Sequence, residues 1–180
     1  IVEDPRGSVI CLPGVPFELK WLFTNRVVPY LREKFGLPEV ITSRVLKVAE
    51  LGESRVDHLI GHLIANSSNP TVGVLAHPGQ VDVRITAKAP SKEEALRLIA
   101  PVEKEVRSLL GNNIFATDNQ TMENVVGQLL REKKLTVASY EDLTGGMVAG
   151  RLQEASREHF AEGIINNTQT SLRHILRFGR

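Results

Sequence analysis

The stretch Tyr140-Glu141-Asp142-Leu143-Thr144-Gly145-Gly146 holds the densest chemistry in this chain of 180 residues. An apolar strand pattern over Leu135 to Ser139 leads into two carboxylates, a hydroxyl and a glycine pair. A helical pattern follows through Met147, Val148 and Leu152. Backbone N–H groups at such a helix start favour a phosphate or an oxyanion. The same letters suit a helix start that needs glycines only for tight packing. The spacing leaves both readings open.

The other candidates are weaker. His58 and His62 stand at i, i+4, a spacing that brings two metal ligands to one helix face. They lie opposite an apolar stripe, Gly61 separates them where a catalytic acid would be wanted, and no third ligand is evident. The pair reads as a solvated helix face. Cys11 sits in the apolar run Ser8 to Leu12 and reads as a buried small hydrophobe. As the single cysteine it excludes an internal disulfide framework. Gly52-Glu53-Ser54 has one glycine of a nucleic-acid-gripping GXXG loop, with Glu53 where a phosphate would go, so it reads as a helix cap.

Hydrophobic periodicity supplies the elements that must position these groups. Ser8 to Leu12 reads as a buried strand, closed by Pro13-Gly14-Val15-Pro16. Phe17, Trp21, Leu22, Val27, Val28 and Leu31 give a helical segment interrupted near Pro29 and ended by Gly36-Leu37-Pro38. Ile41 to Glu50 reads as a strand. Val56, Leu59, Ile60, Leu63 and Ile64 form a helical stripe. Thr71 to Ala76 and Gln80 to Lys88 are strands around the turn His77-Pro78-Gly79. The second alternates, with Val81, Val83, Ile85 and Ala87 inward and Asp82, Arg84, Thr86 and Lys88 outward. Ala95, Leu98, Ile99, Val102, Val106, Leu109 and Leu110 mark a second helix, with Pro101 predicting a bend. Ile114 to Ala116 is a short last strand.

The order β-α-β-β-α-β over about residues 40–117 is the split βαβ arrangement, one antiparallel sheet with both helices on one face. The fold class is therefore α+β, with partial α/β segments on either side. After it, Thr121 caps a helix carrying Val125, Val126, Leu129 and Leu130. A strand at Leu135 to Ser139, the helix after Gly146, a strand at Gly163 to Asn166 and a helix over Leu172 to Phe178 complete an α-β-α-β-α run, which resembles the opening of a doubly wound layer.

Composition limits the function classes. Hydrophobic residues make up 42% of the chain, and 22 basic residues stand against 21 acidic ones, a net charge of +1. That balance argues against a dominant nucleic-acid or membrane-surface role. The strand face with Arg84 and Lys88 also carries Asp82 and no aromatic on which a base could stack. No apolar run reaches the ~18 residues a membrane span needs. The chain begins at Ile1 with no basic-then-apolar leader, and is read as cut from a longer protein.

Three motif sets in order carry a family resemblance. Leu12-Pro13-Gly14-Val15-Pro16 with Glu18 resembles the closing motif of the MoaB/MogA-like first domain of CinA, the competence/damage-inducible proteins. Asn69-Pro70-Thr71-Val72, Ala87-Lys88-Ala89 and Leu110-Gly111-Asn112 resemble their KH-like middle domain. Leu135-Thr136-Val137-Ala138, Glu141 and Thr144-Gly145-Gly146 resemble the opening of their C-terminal domain. The resemblance implies three parts: 1–35, the tail of the first domain; 36–117, the KH-like domain; and 118–180, the N-terminal part of an amidase-like domain.

It further implies a cytoplasmic, dimeric enzyme of NAD-related recycling. The first domain would hydrolyse the pyrophosphate of ADP-ribose with a divalent metal, and the C-terminal domain would deamidate nicotinamide mononucleotide. By the same resemblance, Pro13, Gly14, Pro16, Glu18, Glu141, Asp142, Thr144, Gly145 and Gly146 are the ligand-binding candidates, with no cofactor or metal expected in this chain itself. The family motif reads Glu-Ser-Cys-Thr-Gly-Gly, and here Asp142 takes the nucleophilic serine's place. Asn167 and Leu172 take the places of a tyrosine and a lysine. Asp142 has the chemistry of a carboxylate nucleophile, but with those roles lost the chain is expected to be catalytically incomplete. The rival expectation is a non-catalytic binding or dimerisation scaffold built on the KH-like domain. Residues 8–35 and 121–178 both carry apolar side chains without a complete domain to bury them, which predicts a homodimer.

Overall fold

A computed structural model describes residues 1–36 and 39–166. Leu37 and Pro38, Asn167, Leu172 and the helix expected over 172–178 lie outside the described residues.

The central unit follows the periodicity closely. Strand β3 (Val40–Val48), helix α3 (Glu53–Asn66), strands β4 (Thr71–His77) and β5 (Gln80–Ala89), helix α4 (Lys92–Leu110) and strand β6 (Ile114–Thr117) succeed one another. The strands form one four-stranded sheet in the order β4-β5-β3-β6, every neighbour antiparallel. In β5 every second residue from Val81 to Ala89 is buried, so the pleat sends one face to the core. Val56, Ile60 and Leu63 of α3 and Ala95, Ile99, Val106 and Leu110 of α4 cover that face. Leu46, Ile60, Ile85 and Ile99 are its largest fully buried side chains, each worth ~1.5–3 kcal/mol of apolar burial.

Two expected core residues are not core. Leu98 and Leu109 are 38% and 39% exposed, because they sit at the edges of the α4 stripe, beyond the sheet's reach. The helix runs from Lys92 to Leu110 through Pro101, and the Ser91 hydroxyl caps it by accepting from the Glu94 amide.

The N-terminal segment departs further from expectation. Strand β1 (Val2–Asp4) pairs with β2 (Gly7–Val9) in a small hairpin. Val2 and Val9 are 67% and 61% exposed, and Cys11 is exposed, so the buried strand over 8–12 is corrected to a short solvated one. Three-residue strands that pair only with each other offer no second layer to bury a thiol. The interruption near Pro29 is also different. Helix α1 (Pro16–Leu22) passes through a π-helical turn, Phe23–Val27, into α2 (Val28–Phe35). Proline lacks the N–H that would bond back to Asn25, and the widened turn just before it absorbs that loss without ending the helix. Tyr30 and Lys34 on α2 hold the hairpin: Tyr30 Oη donates to Glu3 and lies 2.7 Å from Ser8 Oγ, which accepts from Lys34.

Beyond the sheet, Asp118 turns the chain with a left-handed φ of 52°. Its carboxylate accepts from the Val45 amide and the Arg44 guanidinium, whose Nε lies 3.2 Å from Glu103 on α4. Helix α5 (Met122–Lys133) starts with a reciprocal cap between Thr121 and Asn124. Strand β7 (Val137–Glu141), helix α6 (Met147–Ala155) and strand β8 (Phe160–Ile165) form a parallel β-α-β unit. Both strands are offset from the expected 135–139 and 163–166, because their pairing runs Val137↔Phe160 to Glu141↔Ile165.

Candidate functional site

The turn between β7 and α6 places the main candidates. Glu141 ends β7 and is 5% exposed. Its Oε2 accepts from the Thr144 hydroxyl and from the Gly146 and Val148 amides at 3.1 and 3.0 Å. Its Oε1 accepts from the Ala149 amide at 2.7 Å. These bonds, the Thr144 hydroxyl foremost, hold the carboxyl below the usual glutamate range against the cost of burial. A carboxylate at a helix N-terminus also meets the positive end of the helix dipole.

This changes what the turn can bind. The α6 amides of Gly146, Val148 and Ala149, which a bound phosphate would need, already serve Glu141. The glycines have conformational reasons as well. Gly145 and Gly146 adopt φ of 61° and 94°, and a Cβ on Gly146 would lie 2.6 Å from Ile165 Cδ1. Asp142, Leu143, Thr144 and Gly145 form the exposed outer rim. Asp142 makes no hydrogen bond or ion pair with any described residue.

The second candidate group lies elsewhere. Pro13 and Gly14 are in the loop before α1, Pro16 opens that helix, and Glu18 stands in its first turn. Glu18 borders an apolar cleft with Phe17, Trp21 and Leu22. No hydrogen bond or ion pair among the described residues joins this group to the β7–α6 turn. His58 and His62 face out from α3, and His62 Nε2 meets Glu105 at 2.9 Å rather than its partner histidine. The α3 start is capped by the Gly52 backbone, with Glu53 in the first turn.

Sequence reasoning missed the clasp made by Glu141, although an acidic residue just ahead of a Thr-Gly-Gly helix start is a usable signal. It also missed why two distant motif fragments go together. The Asn69 side chain accepts from the Lys88 amide at 2.9 Å and donates to the Lys88 carbonyl at 2.8 Å, so Asn69-Pro70 and Ala87-Lys88-Ala89 are one hydrogen-bonded feature. Gly111 takes φ 52°, ψ −130°, a conformation that only glycine adopts readily.

The fold and site together define a KH-like α+β protein with a parallel β-α-β extension whose first turn carries a Thr-Gly-Gly helix start. Residues 43–116 match the family described as the damage-inducible protein CinA KH domain. Proteins named competence-damage inducible protein are similar over nearly the whole chain. The one from Clostridium tetani is 43% identical over 173 residues, 95% of this chain and 42% of its own length. That from Clostridium perfringens is 48% identical over 168 residues, 92% and 40% respectively. That from Clostridium beijerinckii is 44% identical over 167 residues, 92% and 40%. The chain belongs to the CinA, competence/damage-inducible, family. It spans about two fifths of the length of these curated relatives. No helix among the described residues is long and apolar enough to cross a membrane.

Proposed function

We propose that this chain is part of a cytoplasmic enzyme of NAD-related nucleotide recycling, and that its own amidase-like unit, 118–180, does not catalyse. Family membership supports the first half. Asp142 carries the second: it occupies the serine's place on the turn, exposed and without a hydrogen bond or ion pair to any described residue, while its neighbour Glu141 is committed to the α6 amides. Attack by a carboxylate on an amide would expel ammonia and leave a mixed anhydride, a product higher in energy than the amide. A serine activated by a neighbouring base would instead give an ester. The ligand of the turn, on this reading, meets the rim Asp142, Thr144 and Gly145.

No group of three or more possible metal ligands stands together among the described residues. Glu3 is paired with Tyr30 and Lys34, and Asp4 with Arg6.

Purified protein incubated with nicotinamide mononucleotide should release ammonia no faster than buffer, and Asp142→Ser should not restore activity. Loss of a nucleophile–base unit costs on the order of 10⁶ in rate in a comparable system. Release above buffer that Asp142→Ala abolishes would overturn the reading.

A second reading, a dimerising scaffold, is favoured by one observation. Val15, Phe17, Trp21 and Phe23 are all exposed on and around α1, Phe17 at 80%.

A further inference from the structure

We propose that the end of the β-α-β unit opposite the Thr-Gly-Gly turn is an anion site for a phosphate or phosphomonoester group. A cavity of about 330 Å³ there is lined by Arg131, Ala155, Ser156, Arg157, Glu158 and His159. Leu135 and His159 precede β7 and β8, so the cavity lies at the N-terminal ends of the parallel strands. The turn carrying Asp142 lies at their C-terminal ends, roughly 15–20 Å away at ~3.3 Å per residue.

Three features make this an anion site rather than a gap. Ser156 is 5% exposed, and its hydroxyl is buried with no hydrogen-bond partner among the described residues. A native fold rarely leaves such a group unsatisfied, and the cost of doing so disappears when a ligand supplies the partner. Arg157 is exposed and makes no hydrogen bond or ion pair with any described residue. Arg131 donates from Nη1 to the Ala155 carbonyl at 3.1 Å, which leaves the rest of its guanidinium donors for a ligand. That bond also answers the partial negative charge at the C-terminal end of α6, which would otherwise repel an anion.

The cavity is also held in shape. His159 Nδ1–H donates to the Leu135 carbonyl at 2.8 Å, fixing the short 157–159 turn against the β7 approach. Gly127 on α5 lets the α6 end come close: a Cβ there would lie 2.6 Å from the Ala155 oxygen and 3.3 Å from Ser156 Cβ. Glu158 is the one acidic liner, set against two guanidinium groups. Two guanidinium groups and a hydroxyl donor lining one cavity suit the tetrahedral oxygens of phosphate better than a planar carboxylate.

The test is titration of the full chain with inorganic phosphate, then with ribose 5-phosphate, at constant ionic strength set with chloride. Binding is read by calorimetry and by backbone amide shifts. We expect saturable one-to-one binding with the largest shifts at Ser156, Arg157 and His159. Arg157→Gln should weaken it about tenfold, the usual scale for losing one charge-assisted contact. Ser156→Ala, which keeps the Cβ that packs on Gly127, should weaken it less but measurably. Arg97→Gln on α4 should leave it unchanged. Binding of ribose 5-phosphate well above inorganic phosphate identifies a phosphomonoester site; equal binding identifies a phosphate site. Shifts no larger than those with chloride, or binding indifferent to Arg157→Gln, would overturn the proposal.

Discussion

Glu141 accepts the Ala149 amide at 2.7 Å across eight residues of chain, and so joins the end of β7 to the first turn of α6. The relationship makes acid sensitivity a property of this turn. The folded-state pKa lies below the ordinary glutamate value of 4.5. Above that value both folded and unfolded chains are ionised and the contribution is full. As pH falls below it the unfolded chain binds a proton first, and the contribution is lost as pH passes down through the folded value. Glu141→Gln should lower the melting temperature at neutral pH and flatten the acid limb of the stability curve. Glu141→Ala should cost more, because it leaves the Gly146, Val148 and Ala149 amides without their acceptor. An acid limb that Glu141→Gln leaves unchanged would count against the clasp.

Two helical glycines should respond oppositely to alanine. At Gly127 a Cβ would press on the Ala155 carbonyl oxygen at 2.6 Å, a backbone atom that cannot swing away. Gly127→Ala should destabilise by ~1–3 kcal/mol, the usual range for forced overpacking. At Gly61 in α3 nothing lies within 4 Å of the added carbon. Gly61→Ala should stabilise by ~0.5–1 kcal/mol through helix propensity alone. Paired denaturant titrations read both, and equal effects of the same sign would refute the contact at Gly127.

The exposed aromatic pair on α1 should drive self-association. Monomeric proteins seldom expose apolar patches beyond a few hundred Å², and Phe17 and Trp21, four residues apart on one face of α1, are both exposed beside Leu22 here. Light scattering of the purified chain should report a dimer, with Phe17→Asp shifting it to monomer. A monomer at all accessible concentrations, or a dimer indifferent to Phe17→Asp, would sink the idea.

Single-stranded RNA should bind weakly and only through general electrostatics. The α3 start carries Glu53 in its first turn, and the groove on the open sheet face sets Asp82 and the neighbouring Asp118 beside Lys47 and Arg84. Filter binding should show no retention at ~200 mM salt, where a few phosphate contacts are screened away. Submicromolar binding that persists there would contradict this expectation.

The central sheet and its two helices are legible in the letters because periodicity is a local property. Alternation in 81–89 and the stripe Val56, Ile60, Leu63 each name one face without reference to any partner. The Thr121 cap is legible for the same reason: its bond to Asn124 spans three residues. The family resemblance was legible too, since its motifs are short and ordered along the chain. The partners across space were not. Whether a thiol at position 11 is covered depends on a second layer, and strands of three residues recruit none. Whether Glu141 meets a ligand or its own helix depends on where the α6 amides point once β7 and β8 have paired. Asn69 and Lys88 stand nineteen residues apart, and only the β4–β5 hairpin brings them together. The sequence by itself determined the order of the elements and the inward faces of the central sheet and its two helices, Leu98 and Leu109 apart. The tertiary structure decided which polar groups were left free, because a hydrogen bond is settled by distance and direction, which no pattern of residue types along the chain contains.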